Sequence, residues 1–183
     1  MKTKTMETTT KKVMNMTKPS PLGLERISWL INEKKIHPEI AALDLEMIKM
    51  KLALQDEGEG WTAETCDEAE IEYKRFLHLN KMYFKAAIVP TERIDIMWHY
   101  HILDTRAYHK DSEAIFGGYF HHFPYFGLRG EEDKQNLISS FEETKILYEK
   151  EFGEKMLRSQ HADCWHDCQG RCWHACSSED KYK

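Results

Sequence analysis

Ile94-Asp95-Ile96-Met97-Trp98-His99-Tyr100-His101-Ile102-Leu103-Asp104-Thr105 returns an apolar side chain every three or four positions, through Ile94, Trp98 and Ile102. That is the period of a helix with one buried face, not the alternation of a half-buried strand. Pro90 closes whatever precedes this segment, and Thr91 is placed to cap it. The helix runs on, or bends near Asp104 into a second piece that stops at Gly117-Gly118.

The flanking sequence reads the same way. After His37-Pro38, the residues Ile40, Leu43, Leu45, Ile48, Leu52 and Leu54 meet no Gly or Pro before Gly58, which predicts one helix of about four turns. Thr62 is the expected cap of the next helix, whose buried stripe is Ile71, Phe76, Leu79 and Phe84. The Met residues at 47 and 50 read as core filler. Tyr119 to Gly130 reads as an aromatic loop, and Glu131 to Phe152 as a last amphipathic helix. A first short helix near Leu24 to Asn32 completes the set, and Ala86 to Val89 suits at most a short extended piece. The fold class is therefore all-α, a compact orthogonal helical domain of about five or six helices. Ile94, Trp98, Ile102, Leu103, Ile48 and Leu137 are its expected shared core.

At 183 residues the chain suits one domain with tails. Residues 1–22 carry few large apolar groups and read as a disordered lead-in, 23–155 as the helical domain, and 156–183 as a Cys/His/Trp-rich tail. A net charge of -5, with both signs interspersed, offers no basic footprint for nucleic acid. No apolar run reaches the roughly 20 residues of a membrane span, and the opening residues lack the apolar core of a secretory signal, so the expected address is the cytoplasm. Phosphate loop, dinucleotide fingerprint and nucleophile elbow are all missing from the sequence.

The histidines supply the chemistry. Phe116-Gly117-Gly118-Tyr119-Phe120-His121-His122-Phe123-Pro124-Tyr125-Phe126-Gly127 follows the first quoted segment closely. At about 100° per residue, His99 and His101 lie roughly 200° apart on a helix and cannot share one ion unless the helix breaks between them. Asp95 and His99, four apart, form one row, and Met97, His101, Thr105 and Tyr108 form another. One row, joined by His121 or His122, can make a transition-metal site for zinc or copper, with Asp95, Asp104 and Tyr108 as its supporting shell. The same histidines can equally be half-buried residues hydrogen-bonded to Asp95, Asp104 or backbone carbonyls. A lone Cys66 in an acidic first turn reads as structural.

The Trp98-His99-Tyr100-His101 signature, the downstream Tyr108 and the further histidine after a glycine turn resemble the glycine-rich domain-containing protein-like family, from about Leu24 to Phe152, with Leu43-Asp44-Leu45 looking like its usual start. Nine glycines leave no room for the glycine-rich region of that family's longer plant members. The resemblance implies no particular reaction.

In the tail, Cys164-Trp165-His166-Asp167-Cys168 recurs as Cys172-Trp173-His174-Ala175-Cys176. Four thiols at a strict spacing of four suit a soft metal such as Cu(I) or Zn(II), with His161, His166 or His174 assisting. A segment that is modified or cross-linked is the other reading. The leading function is accordingly a metal-binding or accessory protein rather than an enzyme. A protein-interaction module using the Tyr119 to Phe126 loop follows, and then a metal-dependent enzyme acting at His99, His101 and His121 on a peptide such as its own tail.

Overall fold

Side-chain oxygens open three helices by accepting a first-turn amide: Thr65 N–H donates to Thr62 Oγ1 (3.2 Å), Ile94 N–H to Thr91 Oγ1 (3.4 Å) and Ala107 N–H to Asp104 Oδ1 (3.3 Å). The computed structural model describes residues 36–156, and among them the chain is all-α: α1 Pro38–Ala41, α2 Glu46–Ala53, α3 Ala63–Met82, α4 Glu92–Leu103, α5 Thr105–Phe116 and α6 Glu131–Phe152. Left-handed Gly117 (φ 73°) and Gly153 (φ 72°) end α5 and α6, a conformation that glycine alone adopts cheaply. No helix among the described residues is long and apolar enough to cross a membrane. The lead-in, the expected helix from Leu24 to Asn32 and the tail cysteines lie outside the described residues.

The centre of the fold is α3, which touches α1, α2, α4 and α6. It is buried nearly all the way round, although it carries Asp67, Glu70, Glu72, Lys74 and Arg75 as well as Tyr73, Phe76 and Leu77. Such a helix is normally apolar on every side. Here each buried charge has a counter-charge. Lys49 of α2 lies 2.9 Å from Glu46, 2.6 Å from Asp67 and 2.8 Å from Glu70, while Lys74 lies 2.7 Å from Glu70. On another side, Arg93 of α4 grips Glu72 through Nε (2.9 Å) and Nη2 (2.5 Å), and Arg75 donates to the hydroxyl of Tyr148 on α6 (2.5 Å) and to Glu154.

The four-turn helix expected from Ile40 to Leu54 is instead two helices, α1 and α2, with a break at Leu43-Asp44-Leu45. Two local devices account for the break. The Asp44 carboxylate accepts from Glu46 N–H at 3.3 Å, and the buried ammonium of Lys74 donates to the carbonyls of Ala41 (3.2 Å) and Leu43 (2.9 Å). The bend also buries Leu43 and Leu45, which sit two apart and would otherwise point to opposite sides of a helix.

Ile48, Ile94 and Trp98 join the core as expected, and Ile102 packs against its edge. Leu103 does not: it is 75% exposed, because α4 ends there and the chain turns away at Asp104. Leu137 is half-buried and serves the aromatic loop. At Gly127 (φ 90°) an added Cβ would come 2.6 Å from Leu137 Cδ2, so this turn needs glycine on both counts. Phe84 lies past the end of α3 and is exposed, as are Met47 and Met50 on the outer face of α2, whose inner face is Glu46, Ile48, Lys49 and Leu52.

Burial raises the Glu70 carboxyl, yet Lys74 and Lys49 outweigh it and hold the group at about 2 against an ordinary 4.5. The folded state therefore binds fewer protons than the unfolded one between those values. Stability from Glu70 is complete above about pH 4.5 and is lost as pH falls toward 2. Lys74→Met, which takes one of its two lysines from Glu70 and the donor from two buried carbonyls, should cost about 3–5 kcal/mol in urea unfolding at pH 7. Glu70→Gln should also destabilise at pH 7 and flatten the decline of stability with acid.

Candidate metal centre

The end of α4 and the loop after α5 are held against each other by aromatic packing. Phe120 stacks on Trp98 (5.0 Å between centroids) and on Phe116 (4.4 Å). Trp98 Nε1 donates to the Tyr108 hydroxyl at 2.8 Å, and that hydroxyl donates in turn to the Phe120 carbonyl. At the far end of the loop, Asp133 accepts from the amides of Gly127 (2.6 Å) and Arg129 (3.2 Å) and from the Arg129 guanidinium (2.6 Å). Anchored on both sides, the loop lays the His122 ring against Trp98 (4.4 Å) and over the half-exposed row of α4.

Three ligand-type atoms meet there. His122 Nε2 is 2.9 Å from Asp95 Oδ1 and 3.2 Å from His99 Nε2, and His99 Nε2 is 3.7 Å from Asp95 Oδ2. One nitrogen of His122 thus faces both a carboxylate and another imidazole nitrogen. Either one proton serves two contacts or one cation serves three. Ligand atoms 2.0–2.1 Å from a tetrahedral zinc stand roughly 3.3 Å apart, the middle of the observed range. Among the described residues no other group of His, Cys, Asp and Glu side chains has this convergence.

The second histidine row does different work. His101 is buried, with Nε2 3.2 Å from Asp111 Oδ2 and Nδ1 3.0 Å from the Tyr73 hydroxyl. A carboxylate only accepts, so the proton sits on Nε2, and Nδ1 accepts from Tyr73. Tyr108 lies edge-on to the ring at 4.9 Å. Burial pushes the Tyr73 phenol well above its usual range, so it stays a donor. Burial likewise lowers His101, only partly opposed by Asp111 and Asp104, and the imidazole is neutral near pH 7.

Of the residues singled out in the sequence, Asp95, His99 and His122 come together, and Asp95 offers an oxygen directly instead of supporting a ligand from behind. His101 is in its own array, His121 faces outward against Tyr119 (4.9 Å), Asp104 caps α5, and Tyr108 ties Trp98 to the loop. Cys66 is buried with its thiol pushed up to about 11, chiefly by burial, which fits a structural role. Cys164, Cys168, Cys172, Cys176, His166 and His174 lie outside the described residues. Sequence reading missed Tyr73 and Asp111. The spacing from His101 to Asp111 becomes meaningful only once the chain is known to turn at Asp104.

A family model described as UCP032817-like matches residues 40–145, more than half of the chain and a span that contains Asp95, His99, His101 and His122. No curated protein and no solved structure matches the chain.

A proton titration of the His101 imidazole by NMR should give a midpoint below the ordinary 6.5. Asp111→Asn removes the strongest influence that raises it and should move the midpoint lower still. Because the folded group is harder to protonate than the unfolded one, its contribution to stability is complete above about 6.5 and is lost as pH falls below it.

Proposed function

The chain belongs to the UCP032817-like family, and we propose that it is a transition-metal-binding or accessory protein with its centre at Asp95, His99 and His122 and a second, soft-metal site in its Cys/His tail. The observation that supports this is the approach of three ligand atoms, one from each of Asp95, His99 and His122 on two separate segments, to within 4.8 Å of one another. Two neutral imidazoles and one carboxylate suit zinc or copper, and three protein ligands leave a coordination position for something else. The reading narrows the sequence expectation, since His101 and His121 take no part in the centre. A cytoplasmic address belongs to the same proposal, since a reducing compartment is where the tail cysteines remain thiols able to bind metal. The resemblance to the glycine-rich domain-containing protein-like family belongs to the same proposal, its Trp-His-x-His signature supplying His99 to the centre and His101 to the buried array. Exposure of Tyr119, Phe123 and Tyr125 supports the second reading, a protein partner at the loop.

The decisive measurement uses the full chain with Cys164, Cys168, Cys172 and Cys176 all replaced by Ser, titrated with Zn(II) against a chromogenic chelator. About one ion per chain is expected. Groups that only hydrogen-bond to a ligand from behind cost roughly 10- to 100-fold in affinity when lost, so His122→Ala, which removes a direct ligand, should weaken binding at least that much. Binding should also weaken as pH falls, because protons compete for the imidazoles. If the all-Ser chain takes up no zinc, the three side chains are a hydrogen-bonded cluster and the reading fails.

A further inference from the structure

From residue 118 to residue 126 half-buried and exposed side chains alternate without a break, the period of an extended chain. The rings keep the same period. Phe120 and His122, two apart, both lie on Trp98, at 5.0 and 4.4 Å, while on the outer side Tyr119 meets His121 (4.9 Å) and Phe123 meets Tyr125 (5.6 Å). An extended segment is ordinarily held by a ladder of backbone hydrogen bonds. Here, among the described residues, no backbone amide or carbonyl of residues 118–124 bonds to another backbone group.

The segment is therefore a strap, tied down through side chains. The Tyr108 hydroxyl donates to its Phe120 carbonyl, the Phe120 ring is stacked on both Phe116 and Trp98 (interplanar 23° and 15°), and His122 reaches Asp95 and His99 on α4. Segments with few backbone ties open locally at far lower cost than the fold as a whole. An ion changes the balance at one of the ties. Closed, the strap completes the three ligands; lifted, it takes His122 away and leaves Asp95 and His99. The ion therefore binds the closed arrangement more tightly by the factor that His122 adds to its affinity, and it shifts the strap toward closed by no more than that factor. What the strap covers is aromatic, since Trp98, in contact with both Phe120 and His122, is only 6% exposed.

We propose that an ion at Asp95, His99 and His122 is the latch of this strap: bound, it holds residues 118–126 over Trp98 and Phe116, and when it leaves, the strap lifts and those rings become accessible. Metal occupancy is thereby turned into the covering or uncovering of an aromatic surface. This rests on the metal reading above and adds to it what the centre controls.

Chymotrypsin tests this on the full chain with the four tail cysteines replaced by Ser, the cut bonds being located by mass spectrometry. A protease takes an extended stretch of chain into its cleft, so cutting after Tyr119, Phe120 or Tyr125 needs the strap lifted. The rate follows the lifted population while opening is fast relative to cleavage. Zinc at about 100 times its dissociation constant should slow these cuts about tenfold or more, measured against a small ester substrate in the same buffer. Hydroxyl-radical labelling of Trp98 should fall several-fold under the same conditions. His99→Ala removes a ligand without altering the strap and should abolish both effects. Glu70→Gln, which weakens the whole fold, should leave the rate of the strap cuts without zinc unchanged. If the chain takes up no zinc in the chelator titration, the metal reading fails and the latch with it. Zinc that is bound but leaves either the strap cuts or the labelling of Trp98 unchanged overturns the latch alone, as do effects that survive His99→Ala. Faster strap cutting in Glu70→Gln also overturns it, because the strap then opens only with the whole fold.

Discussion

The ammonium of Lys74 decides how the chain can run. It is fully buried, and its donors go to Glu70 and to the carbonyls of Ala41 and Leu43. Those carbonyls belong to a chain that stops being helical after one turn, and a buried carbonyl without a donor is costly. Lys74 satisfies them from the neighbouring helix, so the break between α1 and α2 survives in the interior, and Leu43 and Leu45 both turn inward. The central helix can carry so much charge only because the groups facing it are arranged to meet that charge.

The turn at Asp104 plays the corresponding part for the histidines. On one helix His99 and His101 diverge, and no local adjustment brings them to one point. Ending α4 at Leu103 lets α5 fold back so that Asp111 meets His101 inside, while the loop beyond α5 brings His122 to His99 outside. Trp98 lies between the two, touching the His122 ring and donating to Tyr108, whose own ring abuts His101. One tryptophan thereby fixes the position of both arrays.

The sequence disclosed what depends on local chemistry. Helix period, the caps at Thr62 and Thr91, the bend near Asp104 and the stop at Gly117 are encoded within a few residues, and so is the divergence of His99 from His101. Illegible features rest on distant partners. Lys74 lies more than thirty residues from the carbonyls it serves, so the break in the expected helix from Ile40 to Leu54 left no local sign apart from Asp44. Apolar character misled at Leu103, Phe84, Met47 and Met50, because period alone does not say where a helix ends or which side faces out. Asp95 was read as a support for histidine, and only the fold of the loop shows its oxygens facing two rings.

Glu70 serves two lysines at once, and Lys49 serves three carboxylates. The group therefore behaves as a unit under mutation. A lineage that loses Lys49 or Glu70 first passes through a state with an uncompensated buried charge, because Glu46 and Asp67 then lack their lysine or Lys74 its carboxylate. A sequence in which all of them have become apolar residues of matched volume lies on the other side of that barrier and is not intrinsically less stable. Lys49 and Glu70, the two members with several partners, are therefore the ones that cannot be the first to go.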